Sequence, residues 1–324
     1  MKTITIKNPV EKMEMQSLTF GAGSFKDYSK KEEYFKLLDC YYDEFSGRSF
    51  DTARAYFIWE KGGEGVSEKV LGEWIKSRGI KRDEICITTK GGFPYLEDYH
   101  KHRLDKKSLY EDMEESLYAL GLDYVDCYLL HRDADELPVS EMLETLNEFH
   151  AKGFVKFIGV SNWKGKRIEE ANNYAKEHKL IPLSLSQISF SLAKTTPELM
   201  KDDTIVCMND EEYKWYQENN FPVMAFSSQS KGYYSKLLSG EKMSQKCIER
   251  YGTEENKLKA ERVSKIAKEK GISPAAVAVL YVASNNIPSS AVFCPSNLEQ
   301  LRDTMSAKDY ELSKDEIKYL DLIL

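Results

Sequence analysis

Apolar and polar positions follow a regular order along the chain, in which short β-branched runs alternate with longer helical patterns. Eight runs predict strands, at 17–21, 49–53, 84–90, 124–130, 155–161, 183–189, 222–228 and 290–296. Between and after them, helical periodicity predicts helices near 30–46, 66–78, 106–120, 139–152, 164–178, 209–219, 255–284 and 297–305. A strand followed by a helix, repeated in this way, is typical of parallel βαβ units.

A single (β/α)8 TIM barrel over residues 1–324 fits these repeats best, because no Pro/Gly-rich linker and no shift in composition divides the chain. A doubly wound parallel sheet is the second architecture that the pattern allows. The final stretch, LSKDEIKYLDLIL, predicts an extra carboxyl-terminal helix outside the repeat.

Charge and composition argue against several classes of partner. The chain has 324 residues, 41% of them hydrophobic, and a net charge of −7 with basic residues spread along it, which disfavours a nucleic-acid or anionic-membrane surface. No signal peptide is apparent, and the longest apolar run, AAVAVLYVA, is shorter than the about 20 residues that span a bilayer. None of the six cysteines forms a CxxC pair, so we expect free thiols in a cytoplasmic protein.

Four residues at or just after strand ends form a candidate catalytic group. Asp51 and Tyr56 end or follow the second strand, Lys90 ends the third, and His131 follows the fourth. In a barrel these positions face one site at the carboxyl ends of the strands. We expect Asp51 to keep Lys90 charged, the ammonium to lower the pKa of Tyr56, and His131 to orient a carbonyl oxygen that Tyr56 protonates. The group suits carbonyl reduction and lacks only a hydride source.

The order and spacing of longer motifs resemble the aldo-keto reductase superfamily over nearly the whole chain. The motifs are FDTARAY, GVSEKVLGEW, ITTKGG, DYVDCYLLHRD, KGFVKFIGVSNW, SLSQISFSL, MNDEEYKWY and PVMAFSSQSKGYYS. The last of these resembles a bacterial branch that carries SSQ(S/A)(K/R)G after strand 7. The resemblance implies Asp51, Tyr56, Lys90 and His131 as a catalytic tetrad. It also implies a nicotinamide dinucleotide, usually NADPH with NADH as the alternative, and a small carbonyl or alcohol substrate.

The resemblance further implies residues along the cofactor. Those expected near the nicotinamide, its ribose and its carboxamide are Gly21, Ala22, Ser161, Asn162, Gln187 and, stacked on the ring, Phe226. Those expected to wrap the pyrophosphate are Ser227, Ser228, Gln229, Ser230 and Gly232.

The segment after strand 8 departs from the family pattern. Ser296 stands where relatives often carry arginine, Gln300 is retained, and Thr304 stands where asparagine is common. The cation for a 2′-phosphate is then expected to be Lys231 or Arg302, and the preference for NADPH to be weaker than in relatives with the arginine.

Three aromatic residues are expected to shape the substrate pocket. Phe57 follows the tyrosine where glycine is usual in the family, Trp59 comes two residues later, and Trp163 follows the fifth strand.

Two other functions remain open at this point. A non-catalytic cofactor-binding regulatory subunit is possible on this fold, but the intact tetrad weighs against it. A metal-dependent barrel hydrolase would need more ligands than His100 and His102, which form an HxH after the third strand rather than the first. We therefore expect no metal.

Overall fold

The computed structural model describes residues 1–324. It begins with an antiparallel hairpin of β1 (Thr3–Lys7) and β2 (Lys12–Gln16). The hairpin buries Ile4, Ile6 and Met15 against barrel-filling side chains such as Leu129 and Phe157. It therefore closes the end of the barrel at which the strands begin. This hairpin lies outside the predicted strands, because each of its two strands has only five residues and precedes the first strand–helix repeat.

Eight parallel strands follow and form a closed barrel in chain order, with the last strand paired to the first. They are β3 (Leu18–Gly21), β4 (Ser49–Asp51), β5 (Cys86–Gly91), β6 (Val125–Leu130), β7 (Val155–Ser161), β8 (Leu185–Ser189), β9 (Val223–Phe226) and β10 (Ser289–Phe293). The (β/α)8 barrel is confirmed, and its closure excludes the doubly wound sheet. Several strands are shorter than predicted, as at 49–53 and 290–296, which end at Asp51 and Phe293.

Helices surround the barrel on its outer face. They are α1 (Lys31–Asp39), α2 (Val66–Arg78), α3 (Lys106–Leu120), α4 (Val139–Ala151), α5 (Gly165–His178), α6 (Pro197–Met200), α7 (Asp210–Asn219), α8 (Tyr233–Ser239), α9 (Gln245–Tyr251), α10 (Glu254–Lys270), α11 (Pro274–Ala283), α12 (Leu298–Met305) and α13 (Lys314–Leu320). α13 is the predicted extra helix at the carboxyl terminus. No helix combines the length and the apolar character that crossing a membrane would demand.

The helix predicted at 255–284 is in fact two helices. α10 ends at Lys270, just before Gly271, whose φ of 65° is left-handed, and α11 begins after Ser273, whose hydroxyl accepts from the N–H of Ala276. Glycine relieves the steric cost of that left-handed turn. The segment predicted as a helix at 30–46 is α-helical only to Asp39 and continues as a π-helix over Cys40–Glu44. Sequence analysis also missed α8 and α9, which follow the loop after β9.

Candidate active site

Four side chains meet at the carboxyl ends of three neighbouring strands. Lys90 Nζ lies 2.8 and 2.9 Å from the two carboxylate oxygens of Asp51, and 2.9 Å from the hydroxyl of Tyr56. The Tyr56 hydroxyl donates to Asp51 Oδ2 at 3.0 Å, and the ring of His131 lies edge-on with its centroid 6.0 Å from that of Tyr56. The structure therefore brings together the four residues that the sequence predicts as catalytic.

The loop that carries the phenol is held from two sides. Asp51 is the last residue of β4, and Lys90 lies in the next strand with its side chain fully buried. Beyond Asp51, the N–H of Arg54 donates to Lys90 O at 3.1 Å. On the other side, the hydroxyl of Thr52 lies 2.7 Å from that of Ser67 on α2. The phenol therefore approaches the ammonium from a loop bonded to both β5 and α2.

The electrostatics of the phenol differ from the expectation. The pKa of Tyr56 is raised well above its ordinary value of 10.0, first by burial and then by the carboxylate of Asp51. The expected lowering of this pKa by Lys90 is therefore wrong. Asp51 lies nearly as close to the phenol oxygen as the ammonium does, at 3.0 against 2.9 Å, so the ion pair presents little net positive charge to it. The phenol keeps its proton through the neutral range.

His131 is neutral in this environment. Burial lowers its pKa well below 6.5, and the cations Arg132 and Lys90 act in the same direction. Its Nδ1 atom is buried and has no hydrogen-bond partner. A buried N–H group without an acceptor costs more free energy than a buried ring nitrogen without a donor. The tautomer that carries its proton on Nε2 is therefore favoured.

The three residues expected at the carboxamide are bonded to one another and to the tetrad. Ser161 Oγ donates to Gln187 O at 2.9 Å. Asn162, at a left-handed φ of 60°, donates from Nδ2 to His131 O at 3.2 Å. Gln187 Nε2 donates to Asp51 Oδ1 at 2.8 Å. Their contact with a cofactor stays a prediction.

The end of β3 packs tightly against β10 and the residue that follows it. A Cβ atom on Gly21 would lie 2.5 Å from Cys294 Sγ and 2.9 Å from the side chain of Val292, so only glycine fits there. Ala22 is buried and its N–H donates to Asp51 O at 2.8 Å. The expected contact of Gly21 and Ala22 with a nicotinamide ribose stays a prediction.

The loop after β9 has the backbone of an anion site. Ser227, Ser230, Lys231 and Gly232 have left-handed φ values of 57°, 50°, 58° and 74°. Within this run, the N–H groups of Ser228 and Gln229 have no acceptor in the protein. Left-handed residues with unpaired N–H groups form concavities that bind phosphates.

The hydroxyl groups of Ser228 and Ser230 are engaged in hydrogen bonds within the protein. Ser228 Oγ donates to Val292 O at 2.6 Å, and Ser230 Oγ donates to Ser191 Oγ at 3.0 Å. Phe226, the last residue of β9, is half-buried against a small apolar cluster that includes Cys207.

Several of the residues expected at the adenine end of the cofactor form hydrogen bonds with one another. Gln229 Nε2 donates to the buried Thr304 hydroxyl at 2.8 Å, and the N–H of Ser296 donates to Gln300 Oε1 at 2.9 Å. Arg302 pairs with Glu44 through two contacts of 2.7 and 3.1 Å. Its charge is therefore already neutralised.

Lys231, the other candidate cation, has no carboxylate partner. Its pKa is lowered by desolvation and by the neighbouring cations Arg250, Lys246 and Lys236. Lys236 Nζ donates to Lys231 O at 2.9 Å, which places a second ammonium at the same loop. Unpaired like charges of this kind favour an anionic ligand.

A row of aromatic rings leads from the mouth of the site to the imidazole. Phe57 lies 5.6 Å from Trp59, which is half exposed, Trp59 lies 6.4 Å from Phe93, and Phe93 lies 4.9 Å from His131, all between ring centroids. Trp163 is not part of this row. It is 1% exposed and donates from its indole N–H to Arg132 O at 3.3 Å, so the expected direct contact with substrate is not supported.

Residues 17–324 match the family model described as the Aldo/keto reductase family. The chain belongs to this family. Members reduce carbonyl groups as oxidoreductases and generally bind nicotinamide cofactors, usually NADPH. Phe57, which stands where the family pattern has glycine, adopts a left-handed φ of 65° in this aldo/keto reductase. Glycine reaches that conformation without steric cost.

Several proteins resemble this aldo/keto reductase over most of their length. The uncharacterized oxidoreductase YrpG of Bacillus subtilis is 26% identical over 95% of this chain and 92% of its own. The norsolorinic acid reductase stcV of Emericella nidulans is 30% identical over 89% of this chain and 70% of its own. The solved structure of the thermostable aldo-keto reductase Tm1743, in complex with the inhibitor epalrestat, covers both chains fully with a TM-score of 0.73 at 23% identity. That likeness shows the shared fold.

Arg132 and Phe93, beside the tetrad of this aldo/keto reductase, are not among the residues that the sequence predicts for the site. Arg132 is buried, lies 5.3 Å from the ring of Phe93, and pairs with Asp202 at 3.3 Å. Its charge lowers the pKa of His131. The available signal was its position directly after the histidine at a strand end.

The HxH histidines lie apart from the tetrad and pair with different loops. His100 Nε2 lies 3.2 Å from Asp203, and His102 Nε2 lies 3.7 Å from Glu136. No three His, Cys, Asp or Glu side chains are grouped so that they could hold a metal ion.

Proposed function

We propose that this chain reduces an aldehyde or ketone to the alcohol, or catalyses the reverse oxidation, with a nicotinamide dinucleotide and with Tyr56 as the general acid. The observation that carries the proposal is the contact of one buried ammonium, Lys90 Nζ, with both Asp51 and the Tyr56 hydroxyl at 2.8–2.9 Å beside His131. The whole stretch 1–324 is proposed to act as one domain. The six free cysteines are in keeping with a reducing, cytoplasmic setting.

The proposed reaction adds a hydride and a proton to a C=O group, which becomes CH–OH. A bound reduced dinucleotide supplies the hydride. Tyr56 donates its hydroxyl proton to the oxygen as negative charge develops there, and the Lys90 ammonium stabilises the phenolate that results. Neutral His131 donates from Nε2 to the same oxygen and orients it. Asp51 keeps Lys90 charged although burial lowers the pKa of that ammonium.

The chain's own residues fit a dinucleotide. The unpaired N–H groups of Ser228 and Gln229 suit a pyrophosphate. We propose NADPH as the preferred form, because Lys231 and the cations around it have no carboxylate partner. NADH is proposed as the weaker alternative.

The aromatic row supports a preference for aromatic carbonyl substrates. Rings in the row Phe57, Trp59, Phe93 and His131 offer faces and edges at centroid spacings of 4.9–6.4 Å. Aromatic pairs at such distances contribute about 0.5–1.5 kcal/mol beyond burial. We therefore expect benzaldehydes to be reduced with a higher kcat/KM than short aliphatic aldehydes.

The test compares the wild-type protein with Tyr56→Phe. Fluorescence titration with NADPH and NADH measures binding, and cofactor consumption with a panel of aromatic and aliphatic aldehydes measures turnover. The variant should bind the dinucleotide as the wild type does and lose about 10²- to 10⁴-fold in turnover, because only the phenol supplies the proton. Turnover within about threefold of wild type would mean that the general acid is another group. Binding without any turnover by the wild type would instead support the regulatory-subunit alternative.

A further inference from the structure

The carbonyl oxygen of His131 is a meeting point of two side chains. It accepts from Arg132 Nη1 at 3.0 Å and from Asn162 Nδ2 at 3.2 Å, while the N–H of His131 donates to Gly91 O at 2.8 Å. Both donors also bind one distant segment, residues 202–206, which follows α6 in the loop after β8. Two separate links therefore join the backbone of His131 to that segment.

Arg132 makes the more extensive of the two links. Its Nε donates to Thr204 Oγ1 at 3.0 Å and its Nη2 donates to Asp202 Oδ2 at 3.3 Å. In the second link, Asn162 Oδ1 accepts from the N–H of Val206 at 3.2 Å. All three guanidinium nitrogens of Arg132 are thus engaged, and only the planar fork of arginine reaches three acceptors in different directions.

The same guanidinium packs against the neighbour of the imidazole. It lies 5.3 Å from the ring centroid of Phe93, and that ring lies edge-on to the His131 ring at 4.9 Å. Arg132 is 8% exposed, and its own carbonyl oxygen accepts from the indole N–H of Trp163 at 3.3 Å. One buried side chain therefore contacts both the backbone of the histidine and the ring on which its imidazole rests.

We propose that Arg132 is a positioning residue for His131, which fixes the carbonyl oxygen of the histidine and the ring beside its imidazole, and which binds the segment 202–206 to the same point. The inference rests on the proposed function, because it assumes that His131 orients the reacting carbonyl oxygen. It goes further by adding a residue outside the tetrad, and a segment of the loop after β8, on which the position of the imidazole depends.

A direct role of Arg132 in substrate binding is the competing explanation. A free guanidinium beside the site would attract a carboxylate on the substrate. In this protein Asp202 already pairs with the guanidinium, and Thr204 and His131 occupy its other two nitrogens. The loss of Arg132 should therefore affect every carbonyl substrate alike, whether or not the substrate is anionic.

The first test replaces Arg132 by methionine, which keeps much of the length of the side chain and removes its donors. With NADPH in excess, kcat should fall about 10- to 100-fold for benzaldehyde, 4-carboxybenzaldehyde and butanal, because a displaced imidazole no longer orients the carbonyl oxygen. The KM values and the dissociation constant of NADPH should stay within about threefold of wild type, since binding of the ground state is not changed.

Arg132→Lys separates charge from geometry. The lysine ammonium keeps the positive charge but is a single point that cannot replace the fork. It should therefore recover no more than about threefold of the kcat lost in Arg132→Met. Full recovery by lysine would show that charge alone is needed and would overturn the positioning role.

Arg167→Met is the matched control for the loss of a mostly buried arginine. Arg167 lies over the ring of Trp163 at 5.4 Å and pairs with Asp133 at 3.6 Å, and it makes no hydrogen bond to His131. This variant should lose stability and keep kcat within about threefold of wild type. An equal loss of kcat in Arg167→Met and Arg132→Met would mean that the effect is merely structural.

The second test approaches the link from its other end and applies even if Arg132→Met does not fold. Thr204→Val removes the acceptor of Arg132 Nε and should lower kcat by about three- to tenfold with KM unchanged. Thr195→Val, in the same loop, is its control and should match wild type, because the Thr195 hydroxyl has no hydrogen-bond partner.

The double variant Arg132→Lys/Thr204→Val tests whether the two residues act through one contact. Its kcat should lie within about twofold of that of Arg132→Lys, because residues that share a contact are not additive. Independent, multiplying losses would overturn the link. So would a kcat within about threefold of wild type in Arg132→Lys and Thr204→Val, or a loss confined to KM for 4-carboxybenzaldehyde.

The two proposals fail in different ways. If wild type neither binds a dinucleotide nor reduces any carbonyl compound, the proposed function fails. If wild type does both and the Arg132 and Thr204 variants give one of the overturning outcomes, only the positioning role of Arg132 fails.

Discussion

The stability of the fold should carry a pH dependence that originates at one buried carboxyl behind the active site. Glu68, on the first turn of α2, is fully buried and accepts from the Thr89 hydroxyl at 2.6 Å, directly beside Lys90 in the chain. Its other oxygen, Oε2, is buried with no hydrogen-bond partner, as is the hydroxyl of Ser116 on α3. No lysine or arginine is bonded to it. We therefore predict that Glu68→Gln stabilises the protein above neutral pH.

The magnitude follows from the pKa of the group. Burial raises the pKa of Glu68 from 4.5 to about 7. A carboxyl whose pKa is raised in the folded state favours folding below its unfolded pKa, and this contribution is lost as the pH rises through the folded pKa. The window is therefore pH 4.5 to about 7. A shift of this size corresponds to about 3 kcal/mol of unfolding free energy, at 1.36 kcal/mol for each pKa unit.

Glutamine removes this dependence because it stays neutral at every pH. Its carbonyl can accept from Thr89, and its NH2 group can donate to the Ser116 hydroxyl, which has no other partner. Urea unfolding at pH 4.5, 6 and 8 measures the effect. The variant should equal wild type within about 1 kcal/mol at pH 4.5 and exceed it by up to about 3 kcal/mol at pH 8.

The matched control is Glu169→Gln on the exposed face of α5, which should leave the difference near zero at each pH. A Glu68→Gln difference of the same sign and size at pH 4.5 and pH 8 would show that the carboxyl does not titrate in this window. A loss of stability at pH 8 would refute the reasoning outright.

Three further predictions concern the tetrad, the cofactor and the mouth of the site. Lys90→Met should cost about 3–5 kcal/mol in urea unfolding, because it leaves Asp51 as an unpaired buried charge; a cost below about 1 kcal/mol would contradict that pairing. Lys231→Ala should weaken the binding of NADPH by about ten- to 150-fold and that of NADH much less, as measured by dissociation constants at two salt concentrations. Arg302→Ala should leave both dissociation constants nearly unchanged, because Glu44 already pairs with Arg302. An equal loss of NADPH affinity in the two variants would argue against Lys231 as the phosphate-binding cation. Phe57→Gly should relieve a left-handed backbone by about 1 kcal/mol yet raise KM for aromatic aldehydes, and an unchanged KM would remove this ring from the substrate pocket.

The sequence by itself determined the barrel and the family, and it predicted the four residues that meet at the carboxyl ends of the strands. Alternation of strand and helix patterns is a local property, and the ends of parallel strands meet in one place whatever the details of packing. Asp51, Lys90 and His131 could therefore be placed together from their positions at strand ends, and Tyr56 from its loop. The same local signals failed for the hairpin of β1 and β2. Its few apolar residues can be recognised as buried only once the barrel end that they cover is known.

Only the tertiary structure decided how these groups act on one another. The pKa of Tyr56 is raised rather than lowered because burial and Asp51 outweigh the ammonium, a balance set by distances that no sequence pattern contains. Arg302 is neutralised by Glu44, which lies 258 residues away in the chain. Trp163 lies in the core, and Gln187 donates a hydrogen bond to Asp51. These contacts, too, join residues that are far apart in the sequence. Hydrogen bonds and pKa values depend on neighbours in space, and folding chooses those neighbours from distant parts of the sequence.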